Sequence, residues 1–407
     1  MKYLQPCQFS AGQTRCIAKK LSCQHGLTLI ELMVSIVLGL FLVGGVLSIF
    51  VSSNQTYKLN DNLMRVQENA RSAFDLMARD IREAGQNPCG ARKNIVNVLR
   101  TATGAIPVWT DWNLGTLRGY DDTQAATDIK AFGTAVAARV SGTDAVLVIK
   151  ADANEKAMEC QMEKSTILPA TCPTSSPPID LSDPPVILKL TQSSAFKEND
   201  IAFICDALSS AIFQVYSIYP ISGSGKGLFI DHRADSTNMN CGDFLWPNSS
   251  PTTCPNPPTV ADTKRFVVAL TSTPEVRIAP LASSFWYVGN SGSGKRSLYR
   301  SIIKRSGTTV IMSADEVIPD VQDLQVTYLT RDGNTGTLAD NWVAASAITD
   351  WAADSTAIDT PAIQRVVAVK LDLTLQTVDK VSTSQAVIQR HLLHVIRLRN
   401  REEFVAP

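Results

Sequence analysis

Hydrophobic and polar positions fall into three regimes along the chain. From Leu27 to Phe50 nearly every side chain is apolar; Glu31 is the only ionisable one, and Thr28, Ser35 and Ser48 are the other polar residues. A helix needs roughly 20 apolar residues to cross a bilayer, and this run is long enough. From residue 51 to 84 the pattern becomes periodic. Leu63, Val66, Ala70, Phe74, Met77 and Ile81 recur at steps of three and four, while Asp61, Arg65, Glu68, Arg71, Asp75, Arg79 and Arg82 take other positions. That beat lines one face of an amphipathic helix, and Gly85 followed by Pro88 stops it. The two regimes together predict one helix from Leu27 to Ala84, about 87 Å long if unbroken. Gly39 and the pair Gly44-Gly45 are points where it either loosens or lets another helix approach closely.

The third regime begins at Cys89. Runs rich in β-branched and aromatic residues recur at Asp144–Lys150, Val186–Leu190, Ile201–Cys205, Ile212–Tyr219, Arg265–Leu270, Phe285–Val288, Ser297–Ile303, Leu324–Leu329, Arg365–Leu375 and His391–Leu398, with Gly, Pro, Asn and Ser clusters between them. This is strand-and-turn punctuation. Two proline-rich stretches, Pro169–Pro185 and Pro247–Pro258, read as irregular loops, and Asp340–Ala353 as a short helix or an inserted loop. The expected fold class is α+β: a long N-terminal helix, its first half transmembrane and its second amphipathic, packed on a β-rich globular domain with disulfide-pinned loops.

The apolar run is about twice the length of a signal-peptide core, and no small-residue cleavage site follows it. An acid four residues into a membrane span costs several kcal/mol and needs a partner. Gly26-Leu27-Thr28-Leu29-Ile30-Glu31-Leu32 resembles the class III signal of type IV pilins and pseudopilins. The resemblance implies that a prepilin peptidase cuts between Gly26 and Leu27 and methylates the new amine of Leu27. It also implies that Glu31 pairs with an N-terminal amine, its own or a neighbour's, during filament assembly. Two departures stand out: Leu27 occupies a position where the family most often has Phe, and the 26-residue leader is longer than usual. Further on, Phe285-Trp286-Tyr287-Val288 followed by Ser297-Leu298-Tyr299-Arg300, the stretch Val317–Tyr328, the strand Val366–Leu373 and the tail Val395–Arg401 resemble PilW-like minor pilins. The resulting division is 1–26 leader, 27–50 transmembrane and filament-core helix, 51–84 amphipathic continuation, and 85–407 periplasmic or extracellular β-rich domain.

Charge adds orientation. Lys2, Arg15, Lys19 and Lys20 precede the span with no acidic residue, which places the N-terminus in the cytoplasm of a single-pass inner-membrane protein. Without that leader 34 basic residues face 38 acidic ones, a net charge of −4. A dominant nucleic-acid surface does not fit that balance. Cys89, Cys160, Cys172, Cys205, Cys241 and Cys254 lie beyond the span, an even number in a compartment expected to be oxidising, so disulfides are predicted. Six cysteines allow fifteen pairings. Proximity favours Cys160 with Cys172 and Cys241 with Cys254, leaving Cys89 for Cys205.

Other motifs carry little. Gly289–Arg296 almost spells a phosphate-binding loop, but Arg296 stands where Ser or Thr would hold Mg²⁺, and a strand pattern follows instead of a helix. It reads as a hairpin turn, as does Gly223–Gly227. His391 and His394 would face opposite sides of a strand. Asn248-Ser249-Ser250 is followed by Pro251, and Asp332-Gly333 is a turn signal. No catalytic grouping, metal site or cofactor is assigned, and the chain does not read as an enzyme. The resemblance implies a minor pilin that primes pilus assembly and supports twitching motility, adhesion or DNA uptake. Its partners would be the prepilin peptidase, other minor pilins, the major pilin and the inner-membrane assembly platform. The alternatives are a minor pseudopilin of a type II secretion system, and a tip adhesin or DNA receptor using Trp109, Trp112, Trp246 and Trp342.

Overall fold

The computed structural model describes residues 28–89, 95–162, 186–191, 196–206, 209–220, 227–243, 245, 266, 276–307, 309–332, 335–349, 351, 365–378 and 387–398. The chain divides into two compact units, Met1–Lys58 and Leu59–Pro407. One helix, α1, covers Leu29–Arg82 without interruption. In the first unit the described residues belong almost entirely to this helix, and every one of them is exposed.

The second unit holds the end of α1 and fifteen described strands. They are β1 (Ile95–Asn97), β2 (Leu117–Tyr120), β3 (Ala145–Ala151), β4 (Lys156–Met162), β5 (Ile187–Leu190), β6 (Ile201–Cys205), β7 (Ser210–Gln214) and β8 (Ser217–Pro220). The remainder are β9 (Leu228–Asp231), β10 (Arg277–Asn290), β11 (Arg296–Ser306), β12 (Thr309–Pro319), β13 (Val321–Arg331), β14 (Arg365–Gln376) and β15 (Gln389–Arg397). The first twelve form one sheet and the last three another, in the order β13-β14-β15. The 14-residue β10 is the spine of the large sheet. Its first residues pair with β4 and β6, and from Leu281 onward it pairs with β3 and then β11. Pro280 sits at the change of partners. A proline has no N–H to give to a ladder, so a central strand accepts one most cheaply where its neighbours change.

Alternation along these strands separates two cores. Val146 and Val148 of β3, Trp286 and Val288 of β10, and Leu298 of β11 face one side, where they meet α1 and the inner face of β13–β15. Leu147, Ile149, Phe285, Tyr287 and Tyr299 face the other, against the single-turn helices Val108–Thr110 and Trp112–Leu114. Gly119 of β2 lies where Tyr328 of β13 packs hard against the large sheet: a Cβ there would stand 2.3 Å from the Tyr328 hydroxyl.

The buried face of α1 differs from the periodic one in the sequence. Val66, Ala70, Met77 and Ile81 are buried as the pattern requires, but Leu63 and Phe74 are half-buried, and Ala73, Ala78, Asn62 and Asp80 take places in the interface. The contact is therefore made largely by small side chains. Asp80 is 3% exposed. Its carboxylate accepts from Trp286 Nε1 at 2.9 Å, from Arg300 Nη2 at 2.9 Å and from Lys150 Nζ at 3.1 Å, and Lys150 also pairs with Glu83. Beyond the helix, the Gly85 N–H donates to Ile149 O at 3.0 Å and the Ala151 N–H to Gln86 O at 2.8 Å, so the exit segment is bonded to β3.

Most expected strands are present, with Ile212–Tyr219 split into β7 and β8. Five strands had no clear pattern in the sequence: β1, β2, β4, β9 and β12. They are short or rich in charge, as in Lys156–Met162 and Thr309–Pro319. Except for Phe266, the run Arg265–Leu270 lies outside the described residues, as do the loops Pro169–Pro185 and Pro247–Pro258. Within Asp340–Ala353 the structure places a single-turn helix, Ala345–Ala347, and a bridge from Val343 to Tyr328.

Loop 120–143 is held by an internal cation. Arg139 is fully buried and donates to the carbonyls of Gln124 (2.8 Å), Tyr120 (3.1 Å), Asp121 (2.8 Å) and Thr143 (2.7 Å), with its guanidinium 4.5 Å from the Phe132 ring centre. Burial lowers its pKa to about 10, which leaves it charged at neutral pH. Next to it Asp144 joins the two sheets: its N–H donates to Leu324 O at 2.8 Å and its Oδ2 accepts from the Val326 N–H at 2.7 Å. Burial, opposed by that hydrogen bond, raises the Asp144 pKa to about 6. A carboxyl whose pKa is higher in the folded than in the unfolded state contributes stability at acid pH and loses it as pH rises through the folded value. Asp144→Asn, which keeps an acceptor for Val326, should therefore gain on the parent between pH 4 and 7, by about 2–4 °C in Tm. Thermal melts of the full chain in detergent across that range check it; a difference independent of pH contradicts the assignment.

Candidate functional site

The segment singled out by the sequence opens α1. Gly26 and Leu27 lie outside the described residues. From Thr28 on, the chain forms a reciprocal cap: the Glu31 N–H donates to Thr28 Oγ1 at 3.3 Å, while the Thr28 N–H (3.4 Å) and hydroxyl (3.3 Å) donate to Glu31 Oε2. The four residues Thr-x-x-Glu are a capping box, in which side chains satisfy the N–H groups that a helix start leaves without partners. These bonds are long and exposed. The Leu32 N–H reaches Thr28 O at 3.1 Å and the Ser35 hydroxyl donates to Glu31 O at 2.7 Å, so regular helix begins at once. This cap is legible in the sequence as Thr28 followed three residues later by Glu31, a signal the membrane reading of Glu31 had passed over.

After the cap, the helix is bare. Leu29 and Phe41 are 76% and 78% exposed, and the large apolar residues through Val51 are all more than half exposed. A Cβ added at Gly39, Gly44 or Gly45 would meet nothing within 4 Å. By length and composition this part of α1 can cross a membrane.

Two family models match the chain. One, described as Type IV Pilus-assembly protein W, covers residues 285–393, and the other, described as Prokaryotic N-terminal methylation motif, covers residues 21–47. Together the two matches support a type IV pilin-like minor pilin. No curated protein and no solved structure matches it. The first match runs from the middle of β10 through most of β15, and so takes in Trp286 and Arg300, two of the residues that hold Asp80. The second brackets the stretch Gly26–Leu32, the cap and the start of the bare helix.

The remaining candidate residues scatter. Cys89 is bonded to Cys205 at a sequence separation of 116, tying the helix exit to β6. Cys160 and Cys241 are also disulfide-bonded; Cys172 and Cys254 lie outside the described residues, and with them the two pairings favoured by proximity. Gly289–Arg296 is the turn between β10 and β11, closed by the Ser291 N–H to Lys295 O bond at 2.7 Å, whereas 221–226 of the other glycine-rich stretch lie outside the description. His391 is exposed and its Nδ1 is 2.9 Å from Thr374 Oγ1, while His394 stacks on Phe74 of α1 at 5.2 Å. The structure does not bring the two together. Among the described residues no cluster of metal-ligating side chains occurs. Trp109 and Trp112 are buried in the core, and Lys370 lies 5.1 Å from the ring of Trp342. Trp246 and the stretch Asn248-Ser249-Ser250 fall outside the described residues.

Loss of the Cys89–Cys205 bond in the double variant Cys89→Ser/Cys205→Ser should lower stability by about 2–4 kcal/mol. Urea unfolding of the full chain in detergent measures this, and non-reducing peptide mapping should recover the linked pair from the parent protein.

Proposed function

We propose that this minor pilin is made as a precursor, cut between Gly26 and Leu27, methylated on Leu27, and inserted through α1 into a type IV pilus. In this reading the leader's four cations hold the N-terminus in the cytoplasm, residues 27–50 lie in the inner membrane and then in the filament core, and the β-rich domain faces the periplasm and exterior. Its role is to prime assembly with other minor pilins, in support of twitching motility, adhesion or DNA uptake. The observation that carries the proposal is the bare first half of α1. Apolar surface left in water costs about 25 cal/mol per Å², so a run from Leu29 to Val51 with no cover among the described residues needs lipid first and sister helices later. Pilin-type families are structural, and nothing in the reading calls for catalysis.

Cleavage would place an amine on Leu27, beside Thr28 and one helical turn from Glu31. An amine and a carboxylate that neutralise each other can share a low-dielectric site neither could occupy alone. Gly26→Val should leave full-length precursor in the membrane on an immunoblot; mature-sized protein from that variant would show the cleavage site misplaced.

The cap makes a sharper test of Glu31 possible. Glutamine retains the capping box but not the charge. If charge pairing is the role, Glu31→Gln and Glu31→Ala should both be cleaved, stay in the membrane and be absent from sheared pili, with Glu31→Asp intermediate. Normal incorporation of Glu31→Gln would reduce Glu31 to a helix cap.

A further inference from the structure

We propose that the open edge of β15 is a docking site for another protein, which adds an extended acidic strand to the small sheet beside Leu393 and Val395. The choice of partner rests on the filament-subunit function proposed above; the openness of the edge does not. A strand at a sheet margin presents a row of N–H and C=O groups, and proteins guard such margins with short strands, bulges, charges, prolines or a covering loop. The other margins here are guarded. β1, β2 and β8 are only three or four residues long. β12 is longer, but its ladder with β11 carries a bulge between Leu298 and Tyr299, and it holds Asp315, Glu316 and Pro319. β13 is covered: Val343 exchanges hydrogen bonds of 2.8 and 2.9 Å with Tyr328, the Ala339 N–H donates to Thr330 O, and Asp144 bonds both Leu324 and Val326.

β15 has none of these guards. Its nine residues include no proline, glycine or acid. Its ladder with β14 runs without a shift from Arg397 to Gln389, and among the described residues no strand lies on its far side. The register shows which groups face outward. The Leu398 N–H donates to Val367 O and the Thr377 N–H to Ile388 O. Bonded residues alternate along an antiparallel ladder, so Arg390, Leu392, His394 and Ile396 are turned to β14, and the N–H and C=O groups of His391, Leu393 and Val395 point away from it. Leu393 and Val395 are also 65% and 54% exposed. Strand addition uses this combination, main-chain bonds giving affinity and alternate side chains specificity.

A second copy does not fit the edge. Two identical β15 edges pair antiparallel about a two-fold axis normal to the sheet. That axis reverses α1 from one copy to the other, because α1 packs along the inner face, with Phe74 on His394. Copies inserted in one membrane hold α1 in the same sense. Head-to-tail addition fails as well, since the opposite margin, β13, is covered. The occupant is therefore a strand of a different chain. β14 and β15 together carry Arg365, Lys370, Arg390 and Arg397 against Asp372 alone, a balance that favours an acidic partner.

The test starts from amide exchange on the full chain in detergent. His391, Leu393 and Val395 should exchange about tenfold or more faster than Leu392, His394 and Ile396. If all six are slow, the chain covers its own edge and the proposal fails. A peptide alternating valine and glutamate, matched in length to β15, should then slow the first three by about tenfold, and a valine–lysine counterpart should not. No slowing, or equal slowing by both peptides, overturns the proposal. Leu393→Pro removes an outward N–H and no bond to β14; it should melt close to the parent and lose the peptide effect, and a retained effect counts against strand addition. If that variant fails to melt cooperatively, Leu393→Glu, which repels the acidic peptide, should lose the effect in its place. In producing cells, benzoylphenylalanine at Val395 should crosslink to a different chain through an acid-bearing segment. An adduct of twice the chain's own mass overturns the choice of partner, as does the absence of any adduct. If the parent never enters pili, the filament function fails while the exchange pattern still decides whether the edge is open; a covered edge in a chain that does enter pili defeats this proposal alone.

Discussion

A carboxylate taken out of water must find its counter-charges within a few ångströms, and in this protein that requirement ties together residues 80, 150, 286 and 300. Around the resulting cluster the main core is assembled: the last turns of α1 on one side, β3, β10 and β11 on another, and the inner face of β13–β15 closing over both. Desolvation makes the arrangement demanding. Trp286 can be fully buried because its N–H has an acceptor, and Lys150 can lie in a largely apolar face because Asp80 and Glu83 neutralise it.

Much of this architecture was legible in the sequence because it is periodic. The apolar run, the three-and-four beat after it and the longer β-branched runs each announced an element, and the strand Ile201–Cys205 has the same limits in both readings. The failures have a common cause. β12, with Ser313, Asp315 and Glu316, lies at the margin of its sheet, where polar residues are tolerated, so it lacks the signature of a buried strand. Asp80 was invisible for the opposite reason: in one dimension an acid on a helix reads as solvent-facing, and only the fold reveals the cations across from it. The Thr28–Glu31 cap was visible but overshadowed, since a carboxylate at the head of a membrane span invites a membrane explanation before a local one.

The two halves of α1 solve opposite problems. Beyond Asn62 the helix spends its apolar face inside its own domain and leaves the exposed face to ion pairs such as Arg65 with Asp61. Before Lys58 the apolar side chains have no cover among the described residues, and the polar contacts at the head, Thr28 with Glu31 and the Ser35 hydroxyl with Glu31 O, are local to the first turns.

Arg139 has a consequence of another kind. Four main-chain oxygens converge on its guanidinium, the type of oxygen cage in which loops elsewhere hold a calcium ion. Here the positive charge is covalently part of the chain. An ion drawn from solution comes and goes with its concentration, and a loop built on one slackens when the medium runs short. Loop 120–143 carries its own charge, so its shape should be indifferent to chelators, to hard or soft water, and to changes in the surrounding salts.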